Sequence, residues 1–197
     1  MELIIFAGPN GSGKSTIITA FQRGINIENF EYINPDIYAR EYFGNIEDEY
    51  DRYMKAFKYA EYKRQAAVED GKNFIIETVN STDKKFAFYD YCKNKGYKIT
   101  VVFVCTKSPE INVKRVLKRV SEGGHGVPEE KIISRYKKSL QNLFSLSLFA
   151  DVLYMYDNSK EEGIPELCYY KDANDSKLSA DIPEWVQKYF IDKLNEF

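Results

Sequence analysis

Short apolar runs alternate with longer amphipathic stretches along the chain. The runs at 3–7, 30–33, 73–76, 98–105 and 152–156 predict strands. Several are apolar without a break, as in parallel strands buried on both faces. Between them, residues 14–23, 35–43, about 48–70, 81–95, 109–121 and 128–149 carry helical periodicity. Pro35, Pro109 and Pro128 each stand where a first-turn proline is tolerated. A polar segment, about 158–181, leads to a last helix near 183–197, which Trp185 is expected to anchor on the body. The aromatics Tyr50, Tyr53, Phe57 and Tyr62 fall at helical spacing and are expected in the core rather than on a base-stacking platform. Strand–helix alternation with short, right-handed connections predicts a three-layer α/β/α domain over 1–197. Its sheet is expected to hold about five mostly parallel strands with helices on both faces.

Composition narrows the class. The chain has 197 residues, 44% hydrophobic and 29% charged, which suits one folded domain. A net charge of −2 argues against a protein built mainly to grip a phosphate backbone. Cys92, Cys105 and Cys168 lack metal-ligand spacing, so disulfides and zinc are not expected and a reducing compartment is. The N-terminus lacks a basic leader, and no apolar run approaches the roughly 20 residues of a membrane span. A cytoplasmic location follows as an expectation.

The sharpest chemistry is Gly8-Pro9-Asn10-Gly11-Ser12-Gly13-Lys14-Ser15-Thr16, which fulfils G-x-x-x-x-G-K-S/T between a strand and a helix. The glycines let backbone amides converge on phosphate oxygens, and the helix adds its positive end. Lys14 supplies a cation for the β- and γ-phosphates, and Ser15 a ligand for Mg²⁺. No guanine-specifying Asn/Thr-Lys-x-Asp segment follows, so ATP is the expected nucleotide.

Two acids close apolar runs. Asp36, in Asn34-Pro35-Asp36, would lie at the carboxyl edge of the sheet, either as a base for an acceptor hydroxyl or as a helix cap. Glu77, ending Phe74-Ile75-Ile76, could steer Mg²⁺ or bind a substrate hydroxyl beside Thr78. Asn158, in Asp157-Asn158-Ser159 after the last strand, is placed to frame the adenine.

From Lys107 to Lys138 nine Lys/Arg stand against four Asp/Glu, a local excess of +5. A glycine hinge at Gly123-Gly124 between two basic helices predicts a lid, about 119–135, that brings Arg119 and Arg135 to the γ-phosphate. His125, the only histidine, would cap a turn or line the site; Asp36 is better placed as a base.

These pieces together resemble the zeta-toxin family of P-loop kinases, in its short bacterial branch. The resemblance runs through the P-loop, Asn34-Pro35-Asp36, Ile76-Glu77-Thr78, Arg119-Val120 with Gly123-Gly124-His125, Val127-Pro128-Glu129, Ile133, Arg135-Tyr136 and Tyr156-Asp157-Asn158-Ser159. It implies an ATP- and Mg²⁺-dependent kinase acting on the 3′-hydroxyl of a UDP-activated amino sugar such as UDP-N-acetylglucosamine. It further implies Asp36 as base, Lys14 and Ser15 on phosphates and metal, and Arg119 and Arg135 on the transferring phosphate. Glu77 and Thr78 would face the sugar, and a small helical antitoxin would cover the ATP site. The chain departs from the best-known toxins in having Glu77 and Thr78 adjacent, where a glycine separates them there, and in the spacing of the lid arginines. Two alternatives remain at this point: an ATPase or switch working through a protein partner, and a kinase for another nucleotide or a nucleic-acid end.

Overall fold

The computed structural model describes residues 1–24, 29–124, 126–161 and 163–196, without the side chains of residues 22–24. His125 lies outside the described residues. Five parallel strands form the frame: β1 (Glu2–Ala7), β2 (Phe30–Ile33), β3 (Asn73–Thr78), β4 (Lys98–Cys105) and β5 (Val152–Asp157). The sheet continues with β6 (Glu166–Lys171) and β7 (Ser176–Leu178), both antiparallel, giving the order β2-β3-β1-β4-β5-β6-β7.

The last two strands correct the expectation of about five. In β6 only Cys168 and Tyr169 are buried, and β7 is exposed throughout. Pairing of β6 with β5 and of β7 with β6, and not an apolar pattern of their own, makes this polar stretch extended.

The helices are α1 (Lys14–Gly24), α2 (Pro35–Glu41), α3 (Glu49–Glu69), α4 (Phe86–Asn94), α5 (Pro109–Ser121), α6 (Glu129–Gln141) and α7 (Leu143–Ser147). The C-terminal helix runs as α8 (Glu184–Val186), a π-helical turn Gln187–Ile191, and α9 (Asp192–Asn195). α4 starts later than the periodicity predicts, because residues 80–85 form an irregular loop whose Asn80 has a left-handed φ of 57°. The long helix expected over 128–149 breaks at Asn142, which closes α6 and opens α7.

Alternate residues of the central strands face opposite layers. Leu3, Ile5, Phe74, Ile76, Val101 and Phe103 join α3, α4, α7 and the C-terminal helix in the larger core. Ile4, Phe6, Ile75, Val102 and Val104 pack with Ile17 and Ile18 of α1. Trp185 packs on Phe103 with ring centroids 5.8 Å apart and donates to the Asp157 carboxylate at 2.8 Å, so it anchors the C-terminal helix. A third small cluster, Val113, Val116 and Ile132, joins α5 to α6, so this basic hairpin carries its own apolar seam.

The aromatics of α3 also depart from expectation. Tyr50, Phe57 and Tyr62 are exposed, and Tyr53 is only partly covered. The buried stripe of α3 is instead Ala56, Ala60, Arg64, Ala67 and Val68, and its three alanines bring the helix close to the sheet and leave the large rings on its flanks.

Candidate active site at the carboxyl rim

The loop between β1 and α1 lies between β3 and β4, at the carboxyl ends of the parallel strands. Its geometry depends on glycine where the chain is crowded. A Cβ on Gly8 would stand 2.0 Å from the Val104 carbonyl oxygen, and one on Gly13, at φ +94°, would stand 2.1 Å from Asn158 Nδ2. The Lys14 ammonium folds back into the loop, donating to the carbonyls of Gly8 at 2.8 Å and Pro9 at 3.0 Å. Burial lowers its pKa; the Glu77 carboxylate foremost, and Asp36 more weakly, oppose that, while Arg119 adds to it. These groups therefore share one electrostatic neighbourhood with the loop.

Neighbouring elements brace the loop. Asn112 of α5 is fully buried, accepts from the Thr106 hydroxyl and donates to the Asn10 carbonyl at 2.6 Å. Asn158 Nδ2 donates to the Ser12 carbonyl at 2.9 Å, while Arg115 holds the Asn158 carbonyl at 2.7 Å. The side-chain amide of Asn158 thus braces the P-loop, and a cleft of about 600 Å³ lined by Lys107, Asp157, Ser159 and Cys168 opens beside it. Sequence reading missed Asn112 and Arg115. The one available signal was an amide inside the apolar stripe of α5, next to Val113.

At the exit of β2, Asn34 settles the capping question. Its Oδ1 accepts from the Asp36 amide at 2.8 Å and caps α2, with Pro35 in the first turn. Asp36 is therefore not the cap, and its carboxylate contributes to the field at Lys14, Tyr32 and Tyr53. Glu77 is held more firmly, accepting from the Tyr32 hydroxyl and from Asn34 Nδ2 at 3.2 Å. That carboxylate and the burial of Tyr32 push the phenol pKa well up, so Tyr32 stays a donor to Glu77.

Arg135 of α6 reaches the loop itself, its Nη1 donating to Asn10 Oδ1 at 3.3 Å. Arg119, on the last turn of α5, acts on both Lys14 and Tyr53. A chain of hydrogen bonds ties α6 to the exit of β3. Gly8 N donates to the Thr78 carbonyl at 3.2 Å, and Asn80 N to the Thr78 hydroxyl at 3.1 Å. Asn80 Nδ2 donates to the Ser139 carbonyl at 3.4 Å, and Asn142 Nδ2 to the Asn80 carbonyl at 3.1 Å. With Arg135 on Asn10, P-loop, β3 exit and α6 form a closed ring. Ser15 and Thr16 open α1 directly below the loop.

The sequence profile of the family described as Zeta toxin matches residues 2–164. The chain belongs to the zeta toxin family. No curated protein matches the chain by sequence. Among solved structures, one from the PezAT chromosomal toxin–antitoxin system of the human pathogen Streptococcus pneumoniae is 22% identical, with a TM-score of 0.66, over 99% of this chain and 86% of that one. AvrRxo1-ORF1:-ORF2 with ATP is 13% identical with a TM-score of 0.71, over 90% of this chain and 60% of that one. A structure of the Pnkp1/Rnl/Hen1 RNA repair complex is 25% identical with a TM-score of 0.55, over 70% of this chain and 43% of that one. The fold of this zeta toxin family member is therefore that of P-loop kinases, and the family implies nucleotide binding at the P-loop. No helix among the described residues is long and apolar enough to cross a membrane.

Proposed function

We propose that this zeta toxin family member transfers the γ-phosphate of ATP to a hydroxyl of a UDP-activated amino sugar, such as UDP-N-acetylglucosamine. The observation that carries the reading is that Lys14 folds into the P-loop where the charges of Glu77, Arg119 and Asp36 all act on it, while Arg135 bonds to the loop. In this reading the nucleotide phosphates lie in the loop formed by Gly8, Pro9, Asn10, Gly11, Ser12, Gly13 and Thr16, take backbone N–H groups that the loop turns toward them, and draw Lys14 off the loop carbonyls. Asn158 keeps the loop in shape from the nucleoside side. Asp36 accepts the proton of the acceptor hydroxyl, which Glu77 and Thr78 orient. Arg119 and Arg135 stabilise charge on the transferring group.

Among the described residues no group of three or more His, Cys, Asp or Glu could hold a metal. Mg²⁺ is bound through few protein oxygens and the phosphates themselves, and here the Ser15 hydroxyl would be the protein ligand. When bound, Mg²⁺ neutralises charge between the β- and γ-phosphates. Of the carboxylates that act on Lys14, Asp36 is left for the acceptor hydroxyl, with Glu77 fixed beside it by Tyr32 and Asn34.

The PezAT and AvrRxo1-ORF1:-ORF2 neighbours come from two-protein systems, which supports a small antitoxin as partner. Incubation with ATP, Mg²⁺ and a panel of UDP-sugars, read by phosphorus NMR and mass spectrometry, tests the activity. A phosphorylated UDP-sugar is expected; ATP binding with no phosphorylated sugar removes this acceptor class. A second reading, a kinase for nucleic-acid ends, draws on the +5 excess of residues 107–138 and on the RNA repair neighbour. It requires oligonucleotide binding with steep salt dependence.

A further inference from the structure

Strands β2 and β3 run parallel with Tyr32 beside Ile75 and Ile33 beside Ile76. Asn34 stays extended after β2, at φ −131° and ψ 117°, so the next step of the same register sets it beside Glu77. Alternation puts Tyr32, Asn34 and Glu77 on the face of the sheet where Ile75 packs with Ile17 and Ile18 of α1. All three are half-buried, and they bond to one another. The Tyr32 hydroxyl donates to Glu77 Oε1. Asn34 Nδ2 donates to the Tyr32 oxygen at 2.9 Å and to the same Glu77 Oε1 at 3.2 Å.

The direction of each bond is fixed by the one before it. Asn34 Oδ1 accepts the Asp36 amide at 2.8 Å as the cap of α2, which turns Nδ2 toward Tyr32 and Glu77. The Tyr32 oxygen accepts from that amide, so its proton goes to the carboxylate, and burial beside Glu77 keeps the proton in place. Both bonds end on Oε1, and Glu77 Oε2 has no hydrogen-bond partner among the described residues. One oxygen is committed to the protein; the other is open to a donor from outside the chain. The Asn34 amide group thus bonds the Glu77 carboxylate with one end and the Asp36 backbone with the other.

We infer that Tyr32 and Asn34 are positioning residues for phosphoryl transfer: they lock Glu77 through Oε1 so that Oε2 meets a hydrogen-bond donor of the acceptor, and Asn34 ties that setting to the helix turn that carries Asp36. The role in transfer rests on the kinase reading; the locking of Glu77 by its neighbours does not. Neither residue touches the reacting atoms. A carboxylate free to turn about its torsions has to be ordered with each acceptor, whereas one held by two donors is already in place.

The test compares the full chain with Tyr32→Phe, Asn34→Ser and Glu77→Ala, each given ATP, Mg²⁺ and UDP-N-acetylglucosamine. Tyr32→Phe keeps the ring and removes only the hydroxyl; Asn34→Ser keeps a cap for α2 and removes the amide donor. Both should lower kcat about tenfold, the worth of one charge-assisted hydrogen bond, with Tm and ATP affinity close to the parent's. A residue that acts through Glu77 has nothing to act on once the carboxylate is gone. Tyr32→Phe added to Glu77→Ala should therefore cost no further activity. A merely structural role would subtract the same factor in both backgrounds, and that result would overturn the proposal, as would parent-like kcat in Tyr32→Phe. A measurement independent of turnover reads the lock itself. In protein isotope-labelled at glutamate Cδ and bound to a non-hydrolysable ATP analogue, the resonance missing from Glu77→Ala belongs to Glu77. It should move in both Tyr32→Phe and Asn34→Ser. If it stays at the parent position, the lock does not exist, even where the parent phosphorylates the sugar. If it moves and the parent phosphorylates no UDP-sugar, the kinase reading and the role in transfer fall while the lock stands.

Discussion

The two sides of the rim differ in how their charges are met. Around the P-loop, most polar side chains have protein partners: Lys14 on two loop carbonyls, Asn112 and Asn158 on loop carbonyls, Arg135 on Asn10, while the buried Ser12 hydroxyl has none among the described residues. Across β3, between α3 and α4, Arg64 has one loose ion pair and Lys85 has none among the described residues. The first arrangement is a cradle held in shape before the nucleotide arrives, so little ordering remains to be done on binding. The second holds its cations loosely, Arg64 against the half-exposed Glu61 carboxylate at 3.7 Å. The contrast is between a loop braced by hydrogen bonds from distant parts of the chain and a helix pair that few polar contacts join.

The contrast can be broken most strongly on the nucleotide side. Lys14→Ala is expected to abolish turnover, because the cation that leaves the Gly8 and Pro9 carbonyls for the phosphates is lost. Isothermal titration with ATP and a turnover assay check this, and normal turnover would remove Lys14 from the mechanism. Arg119→Ala and Arg135→Ala should each lower kcat by about 10³-fold or more with a smaller change in ATP affinity. Single-turnover kinetics read the difference, and dispensability of both would end the lid reading.

Smaller effects test the ring that joins the two sides. Asn80→Ala removes the bond to Ser139 and puts alanine at φ 57°, which should cost about 2 kcal/mol in denaturant unfolding. Asn80→Gly tolerates that backbone but still loses the side-chain bond, so it should recover part of the stability while kcat stays several-fold low. Equal kcat in Asn80→Gly and the parent would mean that the ring does not position α6.

The smallest effect lies in the pH dependence of stability. Lys85 titrates near 8 in the fold, against 10.5 as its ordinary value, because of burial and the Arg64 charge, with Glu61 opposing. Between those values the unfolded chain holds a proton that the folded chain has released. Stability should therefore gain as pH rises from about 8 toward 10, from this group, and Lys85→Gln should flatten the gain. Tyr89 on α4 and Tyr38 on α2 also face Arg64, so the comparison with Lys85→Gln, not the raw curve, carries the test.

The sequence was legible where one local pattern does one job. The P-loop carries its own spacing, and the five parallel strands carry continuous apolar runs because both faces are covered. What stayed hidden depends on partners distant along the chain. β6 and β7 extend only because β5 offers an edge, and Asn112 matters only because α5 brings it to Asn10, 102 residues away. The aromatics of α3 misled because large rings at helical spacing look like a core, whereas close packing selected Ala56, Ala60 and Ala67. Of the candidate site, Asp36 was ambiguous until Asn34 proved to be the cap. Arg64 gave no signal at all, being one basic residue in a helix rich in charge.

The central claim, phosphoryl transfer with Asp36 as base, is tested most directly by comparing the parent protein and Asp36→Ala. Each is given ATP, Mg²⁺ and UDP-N-acetylglucosamine, and the phosphorylated sugar and the ATP affinity are measured together. The account predicts a phosphorylated UDP-sugar from the parent, and product formation reduced by about 10²–10⁴-fold in the variant at unchanged ATP affinity. Equal product from both proteins would contradict it.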